Sequence, residues 1–158
     1  MTIDPQELRR CFGSFMTGVT IVTSHDATKK PIGFTANSFT SVSLDPPLLL
    51  VCIDNKSDNI SAYTNGAGFA VNVLAADQHD LSNRFASPID DRFADIDWSV
   101  SAAGHPIFND TAAYFDCTLD QTVAAGDHTV LIGRIENCST SGKAGLGYSS
   151  GKYFTLTP

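Results

Sequence analysis

Gly33-Phe34-Thr35-Ala36-Asn37-Ser38-Phe39-Thr40-Ser41-Val42-Ser43-Leu44-Asp45-Pro46-Pro47 is the stretch on which the reading of this chain turns. Apolar strand positions are interleaved with glycine, hydroxyls and one amide, and two prolines then stop the run. A strand with a purely structural task would carry more valine and isoleucine. Short donors and acceptors beside an accessible backbone suit a flat ligand with polar edges and a phosphate tail. Much later, Gly126-Asp127-His128 stands at the head of an apolar strand.

Working outward, Val19-Thr20-Ile21-Val22-Thr23 is a β-branched strand, Ser24 to Pro31 a hairpin loop, and Ile32 to Asn37 the returning strand. Leu48-Leu49-Leu50-Val51-Cys52-Ile53 is apolar throughout and reads as a strand buried on both faces. Asp54-Asn55-Lys56-Ser57 ends it, with Ser57 able to cap a short helix through Tyr63 that Asn65-Gly66 stops. Phe69, Val71 and Val73 alternate in another strand, and a helix near Asp77 to Ala86 buries Leu81 and Phe85. Ser87 to Ala113 reads as loop around Trp98. Tyr114 to Val123 alternates again, Ala124 to Asp127 is a turn, His128 to Asn137 is a strand, and Tyr153 to Leu156 a short last one. At the other end Asp4, Pro5 and Glu7 form a helix start with a capping box. Leu8, Cys11, Phe12 and Phe15 then share one face of a helix that runs to Phe15 or Met16.

About seven strands with two or three short helices predict a mainly β chain, an antiparallel barrel. Helices do not alternate with strands, and no G-x-G-x-x-G follows a strand, so a doubly wound dinucleotide fold is not supported. Residues 1–158 read as one domain without repeats or linkers.

Composition narrows the function classes. The 158 residues are 42% hydrophobic and 17% charged, which excludes a disordered chain. A net charge of −7 with no basic run argues against nucleic acid as partner. No apolar stretch is long enough for a membrane span, and the acidic N-terminus does not resemble a signal peptide. Cys11, Cys52, Cys117 and Cys138 form no C-x-x-C pair and no Cys/His cluster, so no metal site is expected. Their apolar neighbours suggest buried free thiols in a reducing cytoplasm.

Thr17-Gly18-Val19, Gly33 to Phe39, Ser41-Val42-Ser43-Leu44 with Pro46-Pro47, Phe69-Ala70-Val71-Asn72-Val73-Leu74, Gln78, Phe85-Ala86, Asp91-Arg92-Phe93 and Gly126-Asp127-His128 together resemble the flavin reductase domain family. Its members are the small reductase components of two-component flavin monooxygenases. Order and spacing carry the likeness, from about residue 8 to about residue 153. The resemblance implies a flavin-binding split β-barrel of Greek-key type, a homodimer, FMN or FAD, and NADH or NADPH as hydride donor. It also implies a separate flavin-dependent monooxygenase as partner.

By this resemblance Thr35, Ala36, Asn37 and Ser38, with Ser41 beyond them, form the first flavin segment. Backbone N–H groups and the Asn37 and Ser38 side chains would meet the polar edge of the ring or the ribityl chain. Cys52, Ile53, Asp54, Asn55, Lys56 and Ser57 form the second. A strand ending at a helix start offers free N–H groups and one cation for phosphate, and the same residues also suit a capped helix with a solvated lysine. Asn83 to Ala86 and Arg92 are further candidates: Arg84 and Arg92 suit phosphate, and Phe85 either stacks on the ring or joins the core. His128 is the nicotinamide candidate: hydride passes between the cofactors themselves, so the histidine orients rather than transfers a proton, with Asp127 fixing its tautomer. Tyr153 matches the family's C-terminal tyrosine, but the proline expected ahead of it is absent from Gly145-Leu146-Gly147-Tyr148. His25, His79 and His105 have no such context. Two other functions fit the same fold: an oxidoreductase holding FMN tightly and reducing an organic substrate, and a non-catalytic flavin- or haem-binding protein. Gly126-Asp127-His128 favours an enzyme over a binder.

Overall fold

The computed structural model describes residues 3–155; Met1, Thr2 and 156–158, including the predicted strand end at Leu156, lie outside the described residues. The chain runs through α1 (Pro5–Gly13), β1 (Thr17–Gly18), β2 (Thr20–His25), β3 (Pro31–Ala36), β4 (Thr40–Leu44) and β5 (Pro47–Asp54). It continues with α2 (Ile60–Thr64), β6 (Gly68–Val73), α3 (His79–Ala86), β7 (Trp98–Val100) and β8 (Pro106–Phe108). It ends with β9 (Ala113–Ala125), β10 (His128–Thr140), β11 (Leu146–Ser149) and β12 (Lys152–Thr155). Seven strands form the main antiparallel sheet, in the order β3-β2-β6-β9-β10-β5-β4. The sheet curls until β3 meets β5: the Cys52 N–H donates to Ser38 Oγ across 2.9 Å. This is a split β-barrel, as predicted.

The alternation of Val22, Phe69, Val71, Leu49, Val51 and Ile53 fills the barrel with one apolar cluster, capped by Tyr63 of α2, whose hydroxyl donates to Val22 O. A second cluster lies under α3. Phe85 there meets Phe93 edge-on at 5.0 Å and Phe108 at 5.1 Å, and Trp98 packs on Phe93. The segment read as loop between Ser87 and Ala113 thus contains the β7–β8 hairpin, whose aromatic residues are core.

Other expectations change. β5 alternates rather than being buried twice over: Leu49, Val51 and Ile53 are interior, while Leu48, Leu50 and Cys52 are partly exposed. Its apolar outer positions had disguised the period. Helix α1 stops at Gly13, and Glu7 pairs with Arg10 instead of closing a capping box. None of its residues is buried; Phe12 is 70% and Phe15 76% exposed. Cys11 and Cys138 are exposed, contrary to their apolar neighbours, because both occupy elements lacking cover; Cys117 is buried, and burial pushes its thiol up to about 12. Helix α2 begins at Ile60, not beside Ser57.

Candidate functional site

The antiparallel register of β5 and β10 sets His128 opposite Asp54 and Val130 opposite Cys52. Opposed residues and their alternate neighbours share a face, so His128, Asp54, Cys52 and Leu50 look outward together. Ser38 joins this edge through its bond to Cys52, with the exposed Asn37 beside it. The two predicted flavin segments and the predicted nicotinamide histidine, distant in sequence, therefore meet along one rim of the barrel.

His128 follows a two-residue hairpin turn of Gly126 and Asp127. Gly126 has φ of 67°, a backbone shape that favours glycine. His128 Nδ1 lies 2.8 Å from Asp127 Oδ1. A carboxylate only accepts, so Nδ1 carries the proton of that bond, and Nε2 is the nitrogen presented elsewhere. The hydrogen bond and charge of His128 hold the Asp127 carboxyl below its usual range, with a smaller contribution from Lys56. Lys56 follows the end of β5, two residues after Asp54. Lys56 is exposed and joins no ion pair among the described residues.

The phosphate seat differs from expectation. The Lys56 N–H donates to Asp54 Oδ1 at 2.8 Å and the Ser57 N–H to Asp54 O at 2.9 Å. These amides close a turn on Asp54 and are not the free N–H groups of a helix start, which lies at Ile60. Lys56 supplies the charge alone.

Next to Asn37 is a cleft of about 300 Å³ lined by Thr35, Ser82, Tyr148 and Tyr153. Thr35 Oγ1 donates to Ser82 O at 2.7 Å, and Tyr153 Oη lies 2.9 Å from Ser82 Oγ and donates to Asn83 Oδ1 at 2.8 Å. Tyr153 thus lines the cleft beside Asn37. Ser82 was not anticipated, since a lone serine on an amphipathic helix carries no chemical pattern.

Three predicted residues leave the rim. Phe85 is core and presents no ring face to a ligand. Arg84 Nε donates to Arg92 O, and one of its terminal nitrogens to Ala94 O. Arg92 donates to Ser87 O and Gly33 O. Both guanidinium groups thus pin the loop after α3 instead of standing free for phosphate. Ser41 is exposed on β4. Ala36 and Ile53 are buried and can offer a ligand only backbone.

His105, which has no site context in the sequence, places its Nδ1 2.7 Å from Oδ1 of the fully buried Asp116, which also accepts the Ala103 N–H. It borders a separate cleft of about 790 Å³ with His25, and burial lowers the pKa of His25. That cleft contains none of the predicted site residues. No group of three potential metal ligands occurs among the described residues, and none of their helices is long and apolar enough to cross a membrane.

The rim of this split barrel thus joins short polar side chains, an exposed lysine and a tautomer-fixed histidine. A family model described as flavin reductase like domain matches residues 12–157. The chain belongs to that family. It is 56% identical over 152 residues to a probable flavin reductase of Rhizobium meliloti (strain 1021), covering 96% of this chain and 49% of that protein. It is 54% identical to the reductase component of the flavin-dependent trigonelline monooxygenase of Acinetobacter baylyi, covering 95% of this chain and 48% of the relative. Its fold matches the NADH:FAD oxidoreductase SgcE6 of Streptomyces globisporus C-1027, solved in complex with NAD and FAD fragments. The TM-score is 0.92 at 36% identity, over 100% of this chain and 98% of that one. The chain spans about half the length of these first two curated relatives.

Proposed function

We propose that this chain, read as one flavin reductase-like domain over 1–158, uses NADH or NADPH to reduce FMN or FAD and delivers reduced flavin to a separate monooxygenase. The observation that carries the reading is the rim on which His128, oriented by Asp127, faces outward beside Asp54, Cys52 and Ser38. When bound, the two cofactors supply the hydride chemistry themselves. The protein's residues bind and orient. Asn37 is exposed, and no other described residue hydrogen-bonds its amide, leaving it for a polar ring edge; Lys56 is unpaired for a phosphate; the Tyr148–Tyr153 cleft gives apolar surface. These residues fit a flavin. His128, with Nδ1 held by Asp127, would position the nicotinamide through Nε2.

The same reading includes a homodimer with the flavin at or near the subunit interface, and a cytoplasmic location, where the exposed thiols of Cys11 and Cys138 stay reduced. The relatives named as monooxygenase reductase components support a separate oxygenase partner.

Oxidation of NADH and NADPH, measured with FMN, FAD and riboflavin in turn, tests the activity. Turnover that depends on added flavin is expected; its absence with all three flavins overturns the reading. His128→Ala should raise the KM for NADH and slow flavin reduction ~10- to 100-fold, the scale of one lost orienting hydrogen bond, with flavin affinity unchanged. Wild-type single-turnover rates in this variant would make His128 a turn residue and nothing more.

A further inference from the structure

We infer that Asn55 is a positioning residue for flavin reduction: it locks the Gly126–Asp127 turn to the end of β5 and thereby holds His128 in place. This rests on the reading of His128 given above, and it assigns Asn55 a task other than contact with flavin.

The β9–β10 hairpin outruns its support. β6 pairs with β9 only between Ala113 and Thr118. From there Val123, Ala124 and Ala125 run out to the tip, all exposed. On its other side β10 is held by β5, and that ladder ends at the pair His128 and Asp54. The turn itself lies one step beyond the last ladder pair, where a hairpin tip frays first.

Asn55 closes that gap with three hydrogen bonds. Its backbone N–H donates to Asp127 O at 3.0 Å. Its Nδ2 donates to Gly126 O at 3.3 Å. Its Oδ1 accepts from Thr129 Oγ1 at 2.7 Å. The side-chain amide thus grips the turn on both sides of His128, at Gly126 before it and at Thr129 after it, while the backbone N–H adds Asp127. Asp127 is the residue whose carboxylate orients the imidazole, so a turn that drifts carries both the histidine and its partner away. Asn55 and the turn are exposed, and neither Asn55 nor the turn belongs to a core cluster. The side chain's donor and acceptor are both engaged within the protein, which distinguishes Asn55 from the neighbouring Lys56.

Asn55→Ala is predicted to raise the KM for NADH and slow single-turnover flavin reduction roughly tenfold to a hundredfold, the scale of a small misplacement of an orienting group. The flavin dissociation constant and the thermal midpoint should stay close to wild type. Asn55→Ala/His128→Ala should be no slower than His128→Ala, because residues acting through one another are not additive. Thr129→Val removes one of the three bonds while leaving Asn55 intact, and should shift the NADH parameters in the same direction by less. Losses that multiply in the double variant, or weaker flavin binding with unchanged NADH parameters, overturn the inference. A slow His128→Ala with a wild-type Asn55→Ala removes the role of Asn55 alone. Wild-type rates in His128→Ala remove both.

Discussion

Lys56 shows what a single side chain contributes here. The amides of Lys56 and Ser57 are bound to Asp54, so the ammonium is what the segment proposed to meet flavin phosphate can offer an anion. Its charge is already felt by Asp127. Lys56→Ala should therefore weaken flavin affinity more than it slows reduction at saturating flavin. A lost charge-assisted contact of about 1.5–3 kcal/mol corresponds to roughly tenfold to a hundredfold in affinity. Flavin titration of the two proteins reads this directly; equal dissociation constants would leave Lys56 a solvated surface charge. Arg84 and Arg92 carry the same charge and a better geometry for phosphate, but loop carbonyls already occupy them. Type and spacing mark a cation; whether its donors are free is decided by the loop around it.

At the scale of elements, the sequence was most legible where period and turn chemistry agreed. The Val19–Thr23 and Phe69–Val73 strands, the Gly126 turn and the Asp4 cap all appear in the structure. What could not be read was long-range: that Ser38 reaches Cys52, that Asn55 reaches the next hairpin, that Asp116 receives His105. None of these pairs has a local pattern, because each joins side chains or backbone of different elements. Phe85 shows the same limit, as a helix-face phenylalanine reads equally as core or as ligand contact. Its ring lies over Gly33, where an added Cβ would sit 2.9 Å from Phe85 Cε1 and 3.3 Å from the Thr23 methyl. Gly33, two residues ahead of the segment proposed to meet flavin, is thus the floor on which Phe85 of α3 rests. Gly33→Val must lift that helix and disturb Ser82 and the Tyr153 cleft. Overpacking of this kind costs about 1–3 kcal/mol. Urea denaturation should show a lower midpoint with an unchanged slope. A midpoint equal to wild type would mean that Phe85 rotates aside freely.

At the scale of the molecule, the outward face of β5 and β10 is unusual for a barrel wall. Leu48, Leu50 and Cys52 share it with Val130 and Ile132, and Val123 of β9 stands opposite Val130. All are partly exposed or exposed, and Leu44 at the end of the neighbouring β4 is 96% exposed. An apolar sheet face of this kind is characteristic of a surface that another chain covers. His128 and Asp54 end the same face, so a second copy seated on it would border the rim proposed to bind flavin. In a two-fold dimer each residue appears twice. Burying one leucine contributes ~1.5–3 kcal/mol, so Leu50→Lys should cost the dimer at least ~3 kcal/mol, above a hundredfold in its dissociation constant. The wild-type protein should scatter light as a dimer at micromolar concentration. Leu50→Lys should shift toward monomer, and its flavin affinity should fall with the dimer fraction even though Leu50 is not assigned to the flavin. A wild-type monomer with full activity would refute the dimer. A monomeric Leu50→Lys with wild-type flavin affinity would leave each subunit with a complete site of its own.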